Sequence, residues 1–135
     1  MGSFADQIRA FEDSTNAKME RAARKIILDA FSEVILVTPV DKGTARANWQ
    51  VAIGNVPNGT LELNDETGTA TISKVAAEAQ GLELGDTIYL ANNLPYINRI
   101  MNEGWSGQAP AGSFDLVVQR FNVIAGKVIA KIGAE

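Results

Sequence analysis

Thr38-Pro39-Val40-Asp41-Lys42-Gly43-Thr44 is the stretch that separates a helical pattern from a strand pattern in this chain. A residue that precedes proline is disfavoured in helical geometry, and Asp-Lys-Gly is typical of a turn. We therefore expect a helix to end here and a strand to follow, with Asp41 and Gly43 as turn residues.

Upstream of this stretch, from Ser3 to about Val37, apolar residues recur at steps of three or four, which predicts helix. The series is Phe4, Ile8, Phe11, Met19, Ala22, Ile26 and Ala30, with Thr15 in the one gap. Asp13-Ser14-Thr15-Asn16 are cap formers, so the pattern allows one long helix or two, with residues 1–16 as an extension or separate helix. The apolar face widens after Ala22, which favours packing of the second half in the core. The first half, with Phe4, Ile8 and Phe11, is a candidate contact with a neighbouring subunit.

Downstream, residues alternate between apolar and polar from Arg46 to Gly54, which predicts a strand with Trp49 and Ile53 in the core. A turn at Gly85 leads to a second strand over residues 87–91, with Tyr89 and Leu90 in the core. Residues 55–68 are predicted to be a loop or a hairpin arm. Residues 70–73 read as a short strand and residues 74–80 as a helix.

The last third reads as two helices. Residues 96–102 suit a short helix, with Gly104 just past its end as a turn residue. Ser113 suits the N-cap of a final helix, whose apolar face contains Phe121. We therefore expect one α+β domain over residues 1–135: a small antiparallel or mixed sheet, flanked by a long N-terminal helix and a C-terminal helix, with a short helix between strands.

Composition excludes several kinds of chemistry. The chain has 135 residues, a formal net charge of −4, and neither Cys nor His. Disulfides, thiol nucleophiles, the usual zinc sites and imidazole catalysis are therefore excluded, and no cofactor or metal is expected. No apolar run reaches the roughly 18 residues that a membrane span needs, so the chain is predicted to be soluble.

The remaining functional groups give weak support for an enzyme. Asp41 and Glu103 are two acids beside glycine turns, but nothing in their spacing selects them as a catalytic pair. The cations Lys18, Arg21, Arg24 and Lys25 are interleaved with or followed by acids, as on a solvated helix face, so specific binding of DNA is not expected. A carboxylate-based hydrolase and a monomeric binding module remain as alternatives.

Residues 92–112 are unusual because they combine Tyr, Trp, Pro and Gly in a connection that carries no catalytic group. Such a composition fixes a shape, which favours a role in assembly. Tyr96, Trp105, Gln108 and Pro110 are the interface candidates. For Trp105 two interpretations stay open: it seals its own subunit, or it contacts the next one.

Four motifs in order resemble the tail-completion or neck protein family of tailed bacteriophages. They are residues 39–49 (PVDKGTARANW), residues 85–96 (GDTIYLANNLPY), residues 103–106 (EGWS) and residues 108–112 (QAPAG). The order and spacing are similar to the family's from about Ala17 to Gln119. Lys42 and the acidic residues 62–66 depart from the family pattern.

The resemblance implies a non-enzymatic virion protein, assembled in the bacterial cytoplasm. It would form a ring, expected to contain six copies, at the junction of the tail with the head connector. Its partners would be itself, the tail terminator or tail tube and the connector, and DNA would only pass through the lumen. Related roles as a tail terminator, stopper or adaptor stay open. If Glu62, Asp65 and Glu66 line that lumen, their charge would repel the passing genome.

Overall fold

The computed structural model describes residues 3–103, 120, 123–127, 129 and 130. The elements are helix α1 (Phe4–Val37), helix α2 (Thr44–Ala47), strand β1 (Trp49–Ile53), helix α3 (Thr69–Ala79), strand β2 (Ile88–Asn92) and helix α4 (Ile97–Met101). Residues 120, 123–127, 129 and 130 are helical and belong to a C-terminal helix. The predicted α+β class is confirmed.

Helix α1 is continuous, so the alternative with a break at residues 13–16 is wrong. The weak helix formers there cost only tenths of a kcal/mol each, whereas restarting a helix requires a new and unfavourable nucleus. The helix begins with a capping box, in which Ser3 and Asp6 each accept the other's backbone N–H. It ends at Val37, and the extended ψ of 125° at the C-cap residue Thr38 fits the position before a proline.

The two strands form one antiparallel sheet. Trp49 lies opposite Asn92 and Ile53 lies opposite Ile88. The prediction that β1 begins at Arg46 is wrong, because residues 44–47 form the single turn α2. Gly43 allows this turn, since its φ of 86° lets the chain reverse directly before α2.

Helix α3 lies between the two strands in sequence and contacts both α1 and β1. The predicted strand over residues 70–73 is wrong, because α3 already begins at Thr69. The β-branched Thr71 and Ile72 favour a strand locally, but both face other elements: Thr71 is buried and Ile72 packs against the core. Tertiary packing therefore overrides their propensity.

One apolar core joins these elements. Its buried members are Val34 and Ile35 of α1, Trp49 of β1, Val75 of α3 and Met101 of α4. Partly buried side chains that pack against it include Leu28, Phe31, Val51, Ile72, Leu90 and Ile97. The core thus uses only the second half of α1, and every side chain from Ser3 to Met19 is exposed.

Residues 55–68 contain no strand, which decides between the two predicted forms in favour of a loop. We call this segment the 55–68 loop. The prediction for the last helix falls partly outside the described residues. Within the described part, Ile124 is buried and Arg120 pairs with Glu33 of α1, so the C-terminal helix lies against α1.

Candidate functional site

Arg46 is the residue that ties the end of α1 to the 55–68 loop. Its guanidinium donates hydrogen bonds to three backbone carbonyls: Thr38 at 2.9 Å, Leu36 at 2.8 Å and Glu66 at 2.7 Å. The first two carbonyls belong to the last turn of α1 and its cap, where no intrahelical donor remains. The turn α2 aims Arg46 at these carbonyls, so the arginine of the family-like motif has a structural role in this chain.

Asn48 also holds the loop, through both ends of its amide. Its Nδ2 donates to the carbonyls of Thr44 (2.8 Å) and Leu61 (3.0 Å), and its Oδ1 accepts the N–H of Leu61 at 2.7 Å. The side chain is fully buried. Asn48 therefore pairs with Leu61 as a neighbouring strand would, although the loop itself is not a strand.

Asn92, the last residue of β2, and the next residue, Asn93, complete the support of this region. Asn92 Nδ2 donates to the carbonyl of Ala45 at 2.9 Å, and its Oδ1 accepts the N–H of Leu94. Asn93 Nδ2 donates to the carbonyls of Pro57 and Gly59. Residues 39–49 and residues 85–96 thus lie next to each other, and their polar side chains hold the backbone of neighbouring segments in place.

Both carboxylate oxygens of Asp65 accept hydrogen bonds from groups of the same chain. Its Oδ1 accepts the N–H of Gly68 at 3.0 Å, and its Oδ2 accepts the N–H (2.8 Å) and hydroxyl (2.7 Å) of Thr71. Desolvation by burial acts to raise the pKa of Asp65, but the hydrogen bonds from Thr71 and Gly68, with the charge of Arg46, outweigh it and lower that pKa. Asp65 thus lies three residues before Gly68, the N-cap residue of α3, and its carboxylate accepts hydrogen bonds from the first turn of that helix.

The same two motifs line an open cleft of about 360 Å³. On one side it contains the turn from Pro39 to Ala45, and on the other Tyr96 and Ile100 of the α4 region. We call it the turn cleft. Tyr96 is 41% exposed, so its ring is accessible to another molecule. Asp41 and Gly43 lie in the turn itself, as predicted, and Asp41 is exposed.

The other predicted residues fall into four groups. Phe4 and Phe11 are 77% and 72% exposed, and Ile8 is 44% exposed. Trp49 lies in the core with Leu90 packed against it, while Ile53 and Tyr89 are half-buried. Gly85 has a φ of 91° at the turn before β2. The remaining predicted residues, Gly104, Trp105, Gln108, Pro110 and Phe121, lie outside the described part of the chain.

The charged residues that the sequence analysis singled out are exposed or paired with neighbours in the described part of the chain. Asp41 and Glu103 are both exposed. Arg24 donates to the carbonyl of Leu82 and pairs with Glu20, and Lys25 pairs with Asp29, so these cations pack along α1. Among the described residues no group of three or more acidic side chains is placed to hold a metal, and no helix is apolar and long enough to span a membrane.

A second surface was not predicted from the sequence as a site. It is an apolar groove of about 460 Å³ between the middle of α1, Leu84 and Ile129. On α1 it contains Met19, Ala22 and Ile26, together with Lys18 and Ala23. We call it the α1 groove. The signal in the sequence was the apolar periodicity of α1, but the positions of Leu84 and Ile129 depend on tertiary structure.

Comparison with protein families, with curated proteins and with solved structures finds no match for this chain. The interpretation of the site therefore rests on the residues and their geometry.

Proposed function

We propose that this protein is a structural component of a tailed bacteriophage virion, which forms a ring at the neck and joins the tail to the head connector. The observation that carries the proposal is the turn cleft. Two segments that resemble the neck family, one around Asp41 and one ending at Tyr96, are far apart in the sequence but line one exposed cleft.

The chemistry around the cleft favours assembly over catalysis. Asn48 donates to the carbonyl of Thr44 and Asn92 to the carbonyl of Ala45, so these polar side chains hold the backbone of two residues that line the cleft. A ring needs a head-to-tail contact in which one surface of a subunit fits a different surface of the next. A rigid cleft beside an exposed tyrosine suits one side of such a contact.

The first test is the mass of the particle under native conditions, followed by imaging along its symmetry axis. We expect ring oligomers, either of the protein alone or when it is mixed with purified tails and DNA-filled heads from particles made without it. In that mixture, joined particles should form only when the protein is added. A protein that stays monomeric at all concentrations and joins no tails would contradict the proposal.

A pair of matched variants connects the result to the turn cleft. Tyr96→Ser removes a ring that is 41% exposed in the cleft, and Leu63→Ser removes a side chain that is 46% exposed on the 55–68 loop. Both should leave folding intact, because neither side chain is buried. We expect Tyr96→Ser to reduce ring formation and Leu63→Ser to leave it unchanged.

A further inference from the structure

Helix α1 presents one continuous apolar stripe that extends beyond the body of the protein. The stripe contains Phe4, Ile8, Phe11, Thr15, Met19, Ala22 and Ile26, and at 3.6 residues per turn all seven lie on one face. Its first four members are exposed, and its last three line the α1 groove. An exposed stripe that leads into an apolar groove indicates an interaction surface.

The spacing of the stripe is the same when it is read from either end. From Phe4 to Ile26 the steps are 4, 3, 4, 4, 3 and 4 residues, with Thr15 at the centre. A stripe with this symmetry is complementary to a second copy that runs in the opposite direction. In that arrangement Thr15 meets Thr15, Phe11 meets Met19, and Ile8 meets the small Ala22.

The charge along α1 decides between antiparallel and parallel pairing. Residues 3–16 carry three acids and one base, a net charge of −2, whereas residues 17–28 carry four bases and one acid, a net charge of +3. Antiparallel pairing places the acidic half of each helix beside the basic half of the other. Parallel pairing would place like charges together, which is unfavourable.

We propose that two copies of this protein associate through an antiparallel pairing of α1 about a two-fold axis at Thr15. Phe4 of each copy then reaches the α1 groove of the other, near Ile26. Large side chains from one copy meet Ala22 and Ala23 in the groove of its partner, so the helices can approach closely. The central Thr15 fixes the register, because any shift would place its hydroxyl against an apolar side chain.

This pairing does not depend on the role in the virion. It is isologous, since both copies use the same surface, whereas closure of a ring needs a head-to-tail contact. The two contacts use different parts of the molecule: the α1 stripe here and the turn cleft there. Ring formation and α1 pairing can therefore succeed or fail separately.

The test uses the absence of cysteine from the chain. Thr15→Cys places one thiol at the proposed axis, and Ala17→Cys places one on the opposite face of the same exposed region. After mild oxidation and non-reducing electrophoresis, we expect Thr15→Cys to give severalfold more covalent dimer than Ala17→Cys. Equal yields from the two variants would overturn the proposal.

A second pair of variants tests the direction of the helices. Phe11→Cys and Met19→Cys should cross-link when they are mixed, and each alone should give little covalent dimer. If each cross-links with itself and the mixture gives no more, the helices are parallel and the proposal is wrong. Circular dichroism of all four variants is expected to match that of the parent, because each replaced side chain is exposed.

Discussion

The indole Nε1 of Trp49 donates a 2.8 Å hydrogen bond to the hydroxyl of Thr38, the C-cap residue of α1. The same hydroxyl donates to the carbonyl of Val34 at 2.8 Å, and Thr38 is fully buried. One side chain therefore connects the end of α1 to the first residue of β1 within the core.

Thr38→Val should show how much this connection contributes to the free energy of unfolding. The substitution keeps the shape of the side chain but leaves the Trp49 N–H buried without its acceptor. Such a loss is expected to lower the free energy of unfolding by about 1–3 kcal/mol. Urea denaturation followed by tryptophan fluorescence measures it. Thr38→Ser is the control, because it keeps the hydroxyl and loses one buried methyl, worth about 1 kcal/mol. A smaller effect for Thr38→Val than for Thr38→Ser would contradict this account.

Arg46→Lys should destabilise the fold although it conserves the charge. A lysine ammonium cannot reproduce the fixed fork of donors that meets the carbonyls of Thr38, Leu36 and Glu66. We expect the free energy of unfolding to fall by about 2 kcal/mol. Arg9→Lys, at an exposed position of α1, should change it by less than about 0.5 kcal/mol. Similar values for the two variants in chemical denaturation would show that the fork geometry is unimportant.

Asp65 should make stability depend on pH in the acid range. The folded state lowers the pKa of this carboxyl, so the native protein favours the charged form more than the unfolded chain does. The stabilisation is complete above the unfolded pKa and is lost as the pH falls through the folded pKa. Asp65→Asn removes the charge and replaces one of the two accepting oxygens by an NH₂ group, which should lower stability near pH 7 by about 1 kcal/mol.

Denaturation curves from pH 7 to pH 3 measure this effect. The difference in stability between the parent protein and Asp65→Asn should shrink as the pH falls. Asp86→Asn controls for the loss of one negative charge, because Asp86 is an exposed acid that also accepts a backbone N–H. A difference between the parent and Asp65→Asn that stays constant down to pH 3 would refute the assignment.

Two glycines with similar backbone angles should respond differently to alanine. A Cβ at Gly43 would lie 2.6 Å from backbone atoms of Asp65 and Glu66, whereas at Gly85 no atom lies within 4 Å of it. Both substitutions place an alanine at a positive φ, which costs about 1–2 kcal/mol. Gly43→Ala must also displace the 55–68 loop, so its melting temperature should fall clearly below that of Gly85→Ala. Equal melting temperatures would show that the loop moves freely.

The sequence predicts those parts of the fold that depend on local periodicity. The stripe of α1, the strand around Trp49 and the short helix after Tyr96 all follow from spacing and turn residues. The roles of Arg46 and Asp65 do not, because their partners are backbone groups on segments brought close only by the fold. Carbonyl groups are the same in every residue, so a sequence contains no mark of which one an arginine will reach.

The same reasoning explains the errors at α2 and α3. Arg46 and Ala47 begin the alternating pattern, yet Gly43 and the hydrogen bonds of Arg46 and Asn48 favour one helical turn. Thr71 and Ile72 favour a strand locally, but Asp65 accepts hydrogen bonds from the first turn of the helix that contains them. In each case the pattern of apolar residues does not reveal the side-chain hydrogen bonds to the backbone that favour the observed conformation.

The 55–68 loop is held mainly through its main chain, by bonds from Arg46, Asn48 and Asn93 to its carbonyl groups. Val56, Glu62 and Leu63 lie on it with exposed side chains. Mutations at such positions alter the outer surface while the bonds to the main chain persist. Substitutions in the loop can therefore change the surface that a partner meets without removing the hydrogen bonds that hold its backbone.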